Sequence, residues 1–489
     1  MDGQFAPANT MVSRETQSEL SHRSSSSEDQ KADPKAARKR ARLQYLVFFA
    51  AGLAVLLAMH RRPASRLDRG LLSLGLGGSA QEEGSQRDEW GLLPLEKFEQ
   101  TLSPKLKEGK EALALWASEF SCGDFRNPLA EGHQRAVARA LSKGSKDALV
   151  GMTIVVQKMQ PLNWSVADRP LPQMLRITKV VDYYRWNLLV NAEDVVTKHE
   201  YSISIPIIDR SREAIYSEEE LRDHMLQAAV EEKETMLQAC GNISADLAAS
   251  EKGLAVPLYT AEISGFNQIH SVGDSRIYGT AGLMDKVVGD LEHLRYTASG
   301  VEKKARDYIA SRLLQIVLKV ERAGIGHLQL DWNSFFVRKD GSFFLGNFGS
   351  GGPFGDSISP LRGIITMYPE PNMMYHFANT SEFVPEAKTN MWGLGVLLYQ
   401  LFTGKEQPYG DIDGANWAQQ VEDVSEQLLL QDIRSDTLAP ELKAAGVPQR
   451  WAELIQRLLE PQRANRIGAF QIVTEFPDLV KPDAEHTEE

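Results

Sequence analysis

The stretch from Gly324 to Ser350, GIGHLQLDWNSFFVRKDGSFFLGNFGS, restricts the fold of this chain more than any other. It begins where a helical pattern stops. Between Ala305 and Ala323 the residues Ile309, Leu313, Ile316, Val317 and Val320 recur on one helix face, and Gly324 ends the run. Two short apolar runs, Phe335-Phe336-Val337 and Phe343-Phe344-Leu345, then flank Lys339-Asp340-Gly341, a hairpin turn signal. A long apolar helix, a loop holding His327 and a tight apolar hairpin in direct succession require a folded core of mixed helix and strand. The chain can supply one: it has 489 residues, 42 % apolar and 25 % charged. With 54 basic against 66 acidic residues the net charge is −12, which argues against wholesale nucleic-acid binding. Two cysteines, Cys122 and Cys240, are too few for a disulfide scaffold or a thiolate zinc site. One bridge and two plain buried thiols both stay open.

The N-terminal residues have a different texture. Residues 1–42 are poor in large apolar side chains and carry a serine run, Ser24 to Ser27, and a basic cluster of Lys35, Arg38, Lys39, Arg40 and Arg42. They read as a disordered basic leader. Residues 43–59, LQYLVFFAAGLAVLLAM, hold no charge and would span roughly 25 Å as a helix. A signal anchor, a cleaved signal peptide behind a long leader, and a buried soluble helix are the three readings. Ala58-Met59-His60 is poor cleavage chemistry, and Arg61, Arg62, Arg66 and Arg69 nearly balance the basic cluster upstream. The first two readings send the chain into the secretory pathway. Residues 60–89 read as linker or propeptide. Glycosylation sequons stand at Asn163, Asn242 and Asn379.

From Trp90 the texture is globular. Residues 90–150 are expected to form a helical extension packed on the smaller lobe. Ile154-Val155-Val156, Leu188-Leu189-Val190 and Tyr201 to Ile205 read as strands. Ser217 to Cys240 reads as a helix, with Ser217 as N-cap, Glu218, Glu219 and Glu220 in the first turn, and Gly241 as its stop. Trp392 to Thr403 and Trp451 to Leu459 read as apolar helices. The order is a small lobe of sheet plus helix, residues 151–285, then a larger helical lobe, 286–480, and an acidic tail, 481–489.

The Gly324 to Ser350 segment resembles the catalytic and metal-binding loops of the protein kinase fold, which carry H-R-D-x-x-x-x-N, two short strands and D-F-G. Thr389 to Val396 resembles the buried helix beyond the activation segment, and Tyr368-Pro369-Glu370 the A-P-E position. Leu459-Glu460-Pro461 with Arg466 is similar to the closing arginine segment, so Glu370 is expected to pair with Arg466. Asp194-Val195-Val196-Thr197, Gly289-Asp290-Leu291 and the form DGSFFLGNFGS resemble the secreted rhoptry kinases of apicomplexan parasites. The implied fold is α+β and bilobal, with a β-rich N-lobe and a helical C-lobe.

The same alignment removes the chemistry. It puts Gln329 where a carboxylate must receive the substrate hydroxyl proton, and an amide cannot act as that base. Ser334 replaces the metal-holding asparagine, and Asn347, before Phe348 and Gly349, replaces the D-F-G aspartate that Mg²⁺ requires. The phosphate-pairing lysine becomes Ser204, which leaves its helix partner, Glu231 or Glu234, without a cationic mate; a solvated surface glutamate is the plainer reading of either. No glycine lies between Gly151 and Gly241, so a phosphate-covering loop has no glycine; Arg185 and Trp186 stand nearby instead, as in the glycine-loop-less branch of the rhoptry family. His327 is expected to hold the loop structurally, Trp332 and Trp392 to pack, and Asn390 to replace the aspartate that braces the loop. Rescue would need Asp331 as base and Lys179 or Lys198 on the phosphates; exposed or locally bonded side chains are the plainer reading of all three.

The expected function is a secreted pseudokinase scaffold or regulator, with no metal site and no Mg²⁺-ATP. By family resemblance its partner is a protein, such as an active parasite kinase or a host factor, in a rhoptry, vacuole or cyst. An atypical active Ser/Thr kinase and a membrane-anchored structural protein held by residues 43–59 are the rivals.

Overall fold

The computed structural model describes residues 90–120, 149–163, 171–183, 187–209, 217–241, 243–264, 271–272, 275–277, 279–358, 366, 368–380, 382–410, 417–431 and 433–481. The leader 1–42, the segment 43–59, the linker 60–89, Cys122, Arg185, Trp186, Asn242 and residues 482–489 lie outside them.

Two helices come first, α1 (Leu95–Gln100) and α2 (Pro104–Glu119). Ser103 caps α2 through Leu106 N, with Pro104 at the first helical position. Leu106, Leu113, Trp116 and Ala117 form its buried face. That face lies on the long helix of the larger lobe, while α1 touches the turn Ala248–Lys252 of the smaller lobe, so the extension packs on both lobes and not on the smaller one alone. The lock is electrostatic as well as apolar. Glu99 pairs with Arg312, which is buried in that helix, and accepts the Tyr308 hydroxyl at 3.0 Å.

The smaller lobe is built on β1 (Thr153–Pro161), β2 (Met174–Tyr183), β3 (Asn187–Asp194), β4 (Glu200–Asp209), β5 (Tyr259–Ser264) and β6 (Thr280–Asp285). Antiparallel pairing runs β1-β2-β3-β4-β6-β5 and returns to β1, so these strands close into a ring. β1 does the closing. Thr153 to Val155 pair with β2 and Val155 to Pro161 with β5, with a register shift between Gln157 and Gln160 where Lys158 takes φ 46°. Such a bulge bends a strand from one neighbour to the next and leaves no open edge. Ile154 and Val156 point into the core. Asp194 shapes the β3–β4 turn by accepting Val196 N and Thr197 N at 2.7 and 3.1 Å. The helix α3 (Glu218–Cys240) follows β4 and packs on Phe348–Ser350 and Gly352–Pro353 of the larger lobe. Ser217 Oγ accepts Glu220 N while Ser217 N donates to the Glu220 carboxylate, a reciprocal cap, and Gly241 stops the helix at φ 65°. Cys240 at its end is a buried free thiol, pushed up to about 11 by burial.

β6 passes through residues 286–288 to β7 (Gly289–Asp290). Asp290 caps α4 (Leu291–Thr297) by accepting His293 N at 2.9 Å. α5 (Ser299–Arg322) then runs through the larger lobe, with almost every side chain from Tyr308 to Glu321 buried. β8 (Phe335–Val337) and β9 (Phe343–Leu345) pair Phe335 with Leu345 and Val337 with Phe343, as the sequence indicates. Their turn is fixed from two sides. Asp340 accepts Ser342 N, and a Cβ on Gly341 (φ 79°) would lie 2.4 Å from Lys110 O of α2. The helices α6 (Pro371–Thr380), α7 (Thr389–Thr403), α8 (Trp417–Leu430) and α9 (Gln449–Leu458) complete the lobe. Among the described residues no helix is long and apolar enough to cross a membrane.

Candidate functional site

The loop between α5 and β8 is held from beneath by three polar groups. Asn390, at the start of α7, accepts His327 N at 2.9 Å and donates to Ile325 O at 2.6 Å and to Glu321 at 2.8 Å. The asparagine therefore braces the loop backbone, and Glu321 fixes which way its amide points. Burial pushes the Glu321 carboxyl up to about 7, against the hydrogen bonds from Lys388 N and Asn390. The fully buried His327 ring donates to Gly346 O at 2.7 Å and meets the Phe348 ring edge-on at 5.0 Å. Burial holds it at about 4, so the ring is neutral and ties the loop to the turn after β9.

Above this brace lie the positions where acids would be needed. Gln329 accepts Ser334 Oγ on its carbonyl at 2.7 Å and Ser350 Oγ on its side chain at 3.4 Å. Asn347 Nδ2 donates to Asn333 O at 3.3 Å. Gln329, Ser334 and Asn347 thus converge, linked through Ser350 and Asn333, without a titratable group among them. The backbone keeps a strained geometry here: Leu328 and Asn347 take φ 50° and 58°. Asparagine tolerates that region, whereas leucine incurs roughly 1–2 kcal/mol. Leu328 is held in it by packing against Met373, Met374 and Phe383. Asp331 turns away from the gap and accepts the Thr366 hydroxyl at 2.5 Å. Burial raises its carboxyl to about 6, with the Thr366 bond opposing. It ties the loop to the segment ahead of α6.

A cavity of about 30 Å³ lies in the groove between the lobes, lined by Ser204, Glu232, Met284, Phe336, Asn347 and Phe348 among others. Phe336 rises from β8 into a cluster with Val181, Leu189, Met284 and Val287 of the smaller lobe and the connection. Gly346 makes room for it, since a Cβ there would sit 2.4 Å from the Phe336 ring. The connection is committed too. Val287 N donates to Ser202 Oγ at 2.9 Å, Val288 N to Val337 O at 2.8 Å, and Asn191 joins Ser202 to Val287 O.

Glu232 is the charged residue of this lining. It is the helix glutamate that lines this cavity with Ser204, whereas Glu231 and Glu234 are surface glutamates. Glu231 accepts Gln227 on the outer side at 2.7 Å, and Glu234 is exposed. Thr235, Met236, Ala239 and Cys240 are buried, so the residue four before Met236 shares the inward face. The two lysines considered for phosphate contact are elsewhere. Lys179 Nζ lies 5.5 Å from the centre of the Phe120 ring, and Lys198 pairs with Glu193 at 3.0 Å. Arg185 and Trp186 lie outside the described residues.

The anchor beneath the site matches the sequence and adds a residue to it. Buried Glu370 pairs with Arg466, and Arg463 grips both its oxygens at 2.7 Å. Arg466 lies over Trp392, whose indole donates to Tyr368 O at 3.0 Å. The sequon at Asn163 is built into the fold: its side chain donates to Ile243 O and accepts Ala245 N. Among the described residues no cluster of His, Cys, Asp or Glu is arranged to hold a metal ion.

No protein-family model matches the chain, and no curated protein matches it in sequence. Solved structures do resemble it. ROP2 from Toxoplasma gondii, described as a virulence factor with a protein-kinase fold and no enzymatic activity, superposes with a TM-score of 0.51 at 13 % identity, over 77 % of this chain and 97 % of that one. A rhoptry kinase from the same organism gives 0.53 at 12 % identity, over 80 % and 97 %. A Toxoplasma gondii rhoptry antigen kinase domain gives 0.52 at 12 % identity, over 78 % and 98 %. The chain has the protein kinase fold, and these three solved structures are rhoptry proteins of that fold.

Proposed function

We propose that this chain of protein kinase fold is a pseudokinase of the rhoptry type, a secreted protein that binds other proteins as a scaffold or regulator and does not transfer phosphate. The observation that carries the reading is the groove. The cavity found there holds a single charged group among its described lining residues, the carboxylate of Glu232, and measures about 30 Å³. Ligand sites for molecules of nucleotide size measure hundreds of Å³. A triphosphate would find no cation among the described lining residues of that cavity, and Mg²⁺ would find amides and a hydroxyl at Asn347, Gln329 and Ser334. The packing of Phe336 in the groove supplies apolar contact between the lobes that a bound base would otherwise provide.

An active enzyme working through Asp331 is disfavoured by where that carboxyl points. Secretion draws its support from the apolar segment at residues 43–59 and from the likeness to rhoptry kinases. The test is a thermal-shift series on the purified protein with ATP, with and without Mg²⁺. The melting temperature is expected to stay constant at millimolar nucleotide. A rise of several degrees with Mg²⁺-ATP would overturn the reading, because a ligand of the native state must stabilise it.

A further inference from the structure

A second cavity shares none of the groove's lining residues. It is an open cleft of about 650 Å³ between α1, the π-helical turn Ala248–Lys252 and the last turn of α5, within the size range of small-molecule sites. Its wall carries Lys97, Lys252, Lys319 and Arg322 against Glu96 and Glu251. These cations stand on rigid elements. Lys252 Nζ donates to Ala239 O and Cys240 O at 2.9 and 2.7 Å, Lys319 Nζ to Leu93 O at 2.6 Å, and Arg322 lies over the Trp90 ring.

Basic residues at helix C-termini ordinarily answer the helix dipole, which accounts for part of the placing of Lys252 and Lys319. It applies equally to Lys97, exposed in the last turn of α1, whose ammonium makes no hydrogen bond or ion pair among the described residues. It does not explain why α1, the π-helical turn and α5 bring four cations to the wall of one cavity. Burial lowers the Lys252 pKa, so the fold holds a cation there at a cost that a bound anion would offset.

We propose that this cavity binds a phosphorylated polyol bearing two or more phosphoryl groups. Its phosphoryl oxygens meet the lysines and the arginine, and its hydroxyls donate to Glu96 and Glu251. A soluble sugar or cyclitol phosphate and the head group of a phosphoinositide share this chemistry. The experiment titrates the full chain with inositol trisphosphate and, separately, with vesicles containing phosphatidylinositol bisphosphate. Wild type is compared with Lys97→Glu and with Lys97→Arg, at an exposed position where neither change disturbs packing. Binding is expected, weakened about tenfold or more in Lys97→Glu and retained in Lys97→Arg. Binding to both probes identifies a soluble ligand or head group alike, and binding to vesicles alone identifies the lipid. Absence of binding to both, or equal binding in Lys97→Glu, would overturn the proposal.

Discussion

Asp331 and Glu321 make the loop beneath the groove sensitive to pH. Both carboxyls are raised by burial, to about 6 and about 7. A raised folded value means that the folded state holds the proton more tightly than the unfolded state. The contribution of each is therefore complete below about pH 4 and lost as pH rises through 6 to 7. His327 works oppositely: its folded value of about 4 makes its contribution complete above about pH 6.5 and lost as pH falls toward 4. Asp331→Asn keeps an acceptor for Thr366 and removes one titration. Its stability relative to wild type is expected to improve by on the order of 2 kcal/mol between pH 4 and pH 8, read from urea melts. A difference that stays flat with pH would contradict the assignment. Residues of this kind were partly legible. His327, Asn390 and the Glu370–Arg466 pair follow from motif order, because their partners lie at fixed places in it. Arg463, Glu321 and Glu232 do not. Their roles depend on which helix face turns inward, and for Glu232 the phase was available in Met236, Ala239 and Cys240.

At the scale of elements, capping and periodicity made α3, α5 and the β8–β9 hairpin readable. The signals are local: Ser217 with Glu220, the apolar face closing at Gly324, and Asp340-Gly341. The closure of the sheet by β1 was not readable, since one strand pairs with two partners distant in sequence and changes partner at a bulge. The extension shows the same limit. The buried face of α2 announces that something covers it, and only the fold says that α5 does. The Glu99–Arg312 contact tests this docking. Glu99→Ala leaves Arg312 buried with Phe343 O as an acceptor, and is expected to cost on the order of 3 kcal/mol in denaturant unfolding. Glu99→Ala with Arg312→Met should recover much of that loss. If the single change has no effect, the extension is not held as described.

For the whole molecule, the architecture and the reaction come apart because they depend on different residues. The apolar helices, the buried hairpin and the Glu370 anchor are kept. Among the described residues, the cavity in the groove has one lining carboxylate, Glu232, and Phe336 packs there against side chains of the smaller lobe. The loss of the acids was legible position by position. That packing was not, since Phe336 reads simply as a hairpin core residue until Gly346 and the smaller lobe are placed around it. The most direct measurement follows γ-labelled ATP incubated with the purified chain, Mg²⁺ and a panel of protein acceptors. Label on the acceptors and on the chain itself is expected to equal that of a heat-denatured control. Transfer above that control, abolished by Asp331→Ala or Asn347→Ala, would contradict the account.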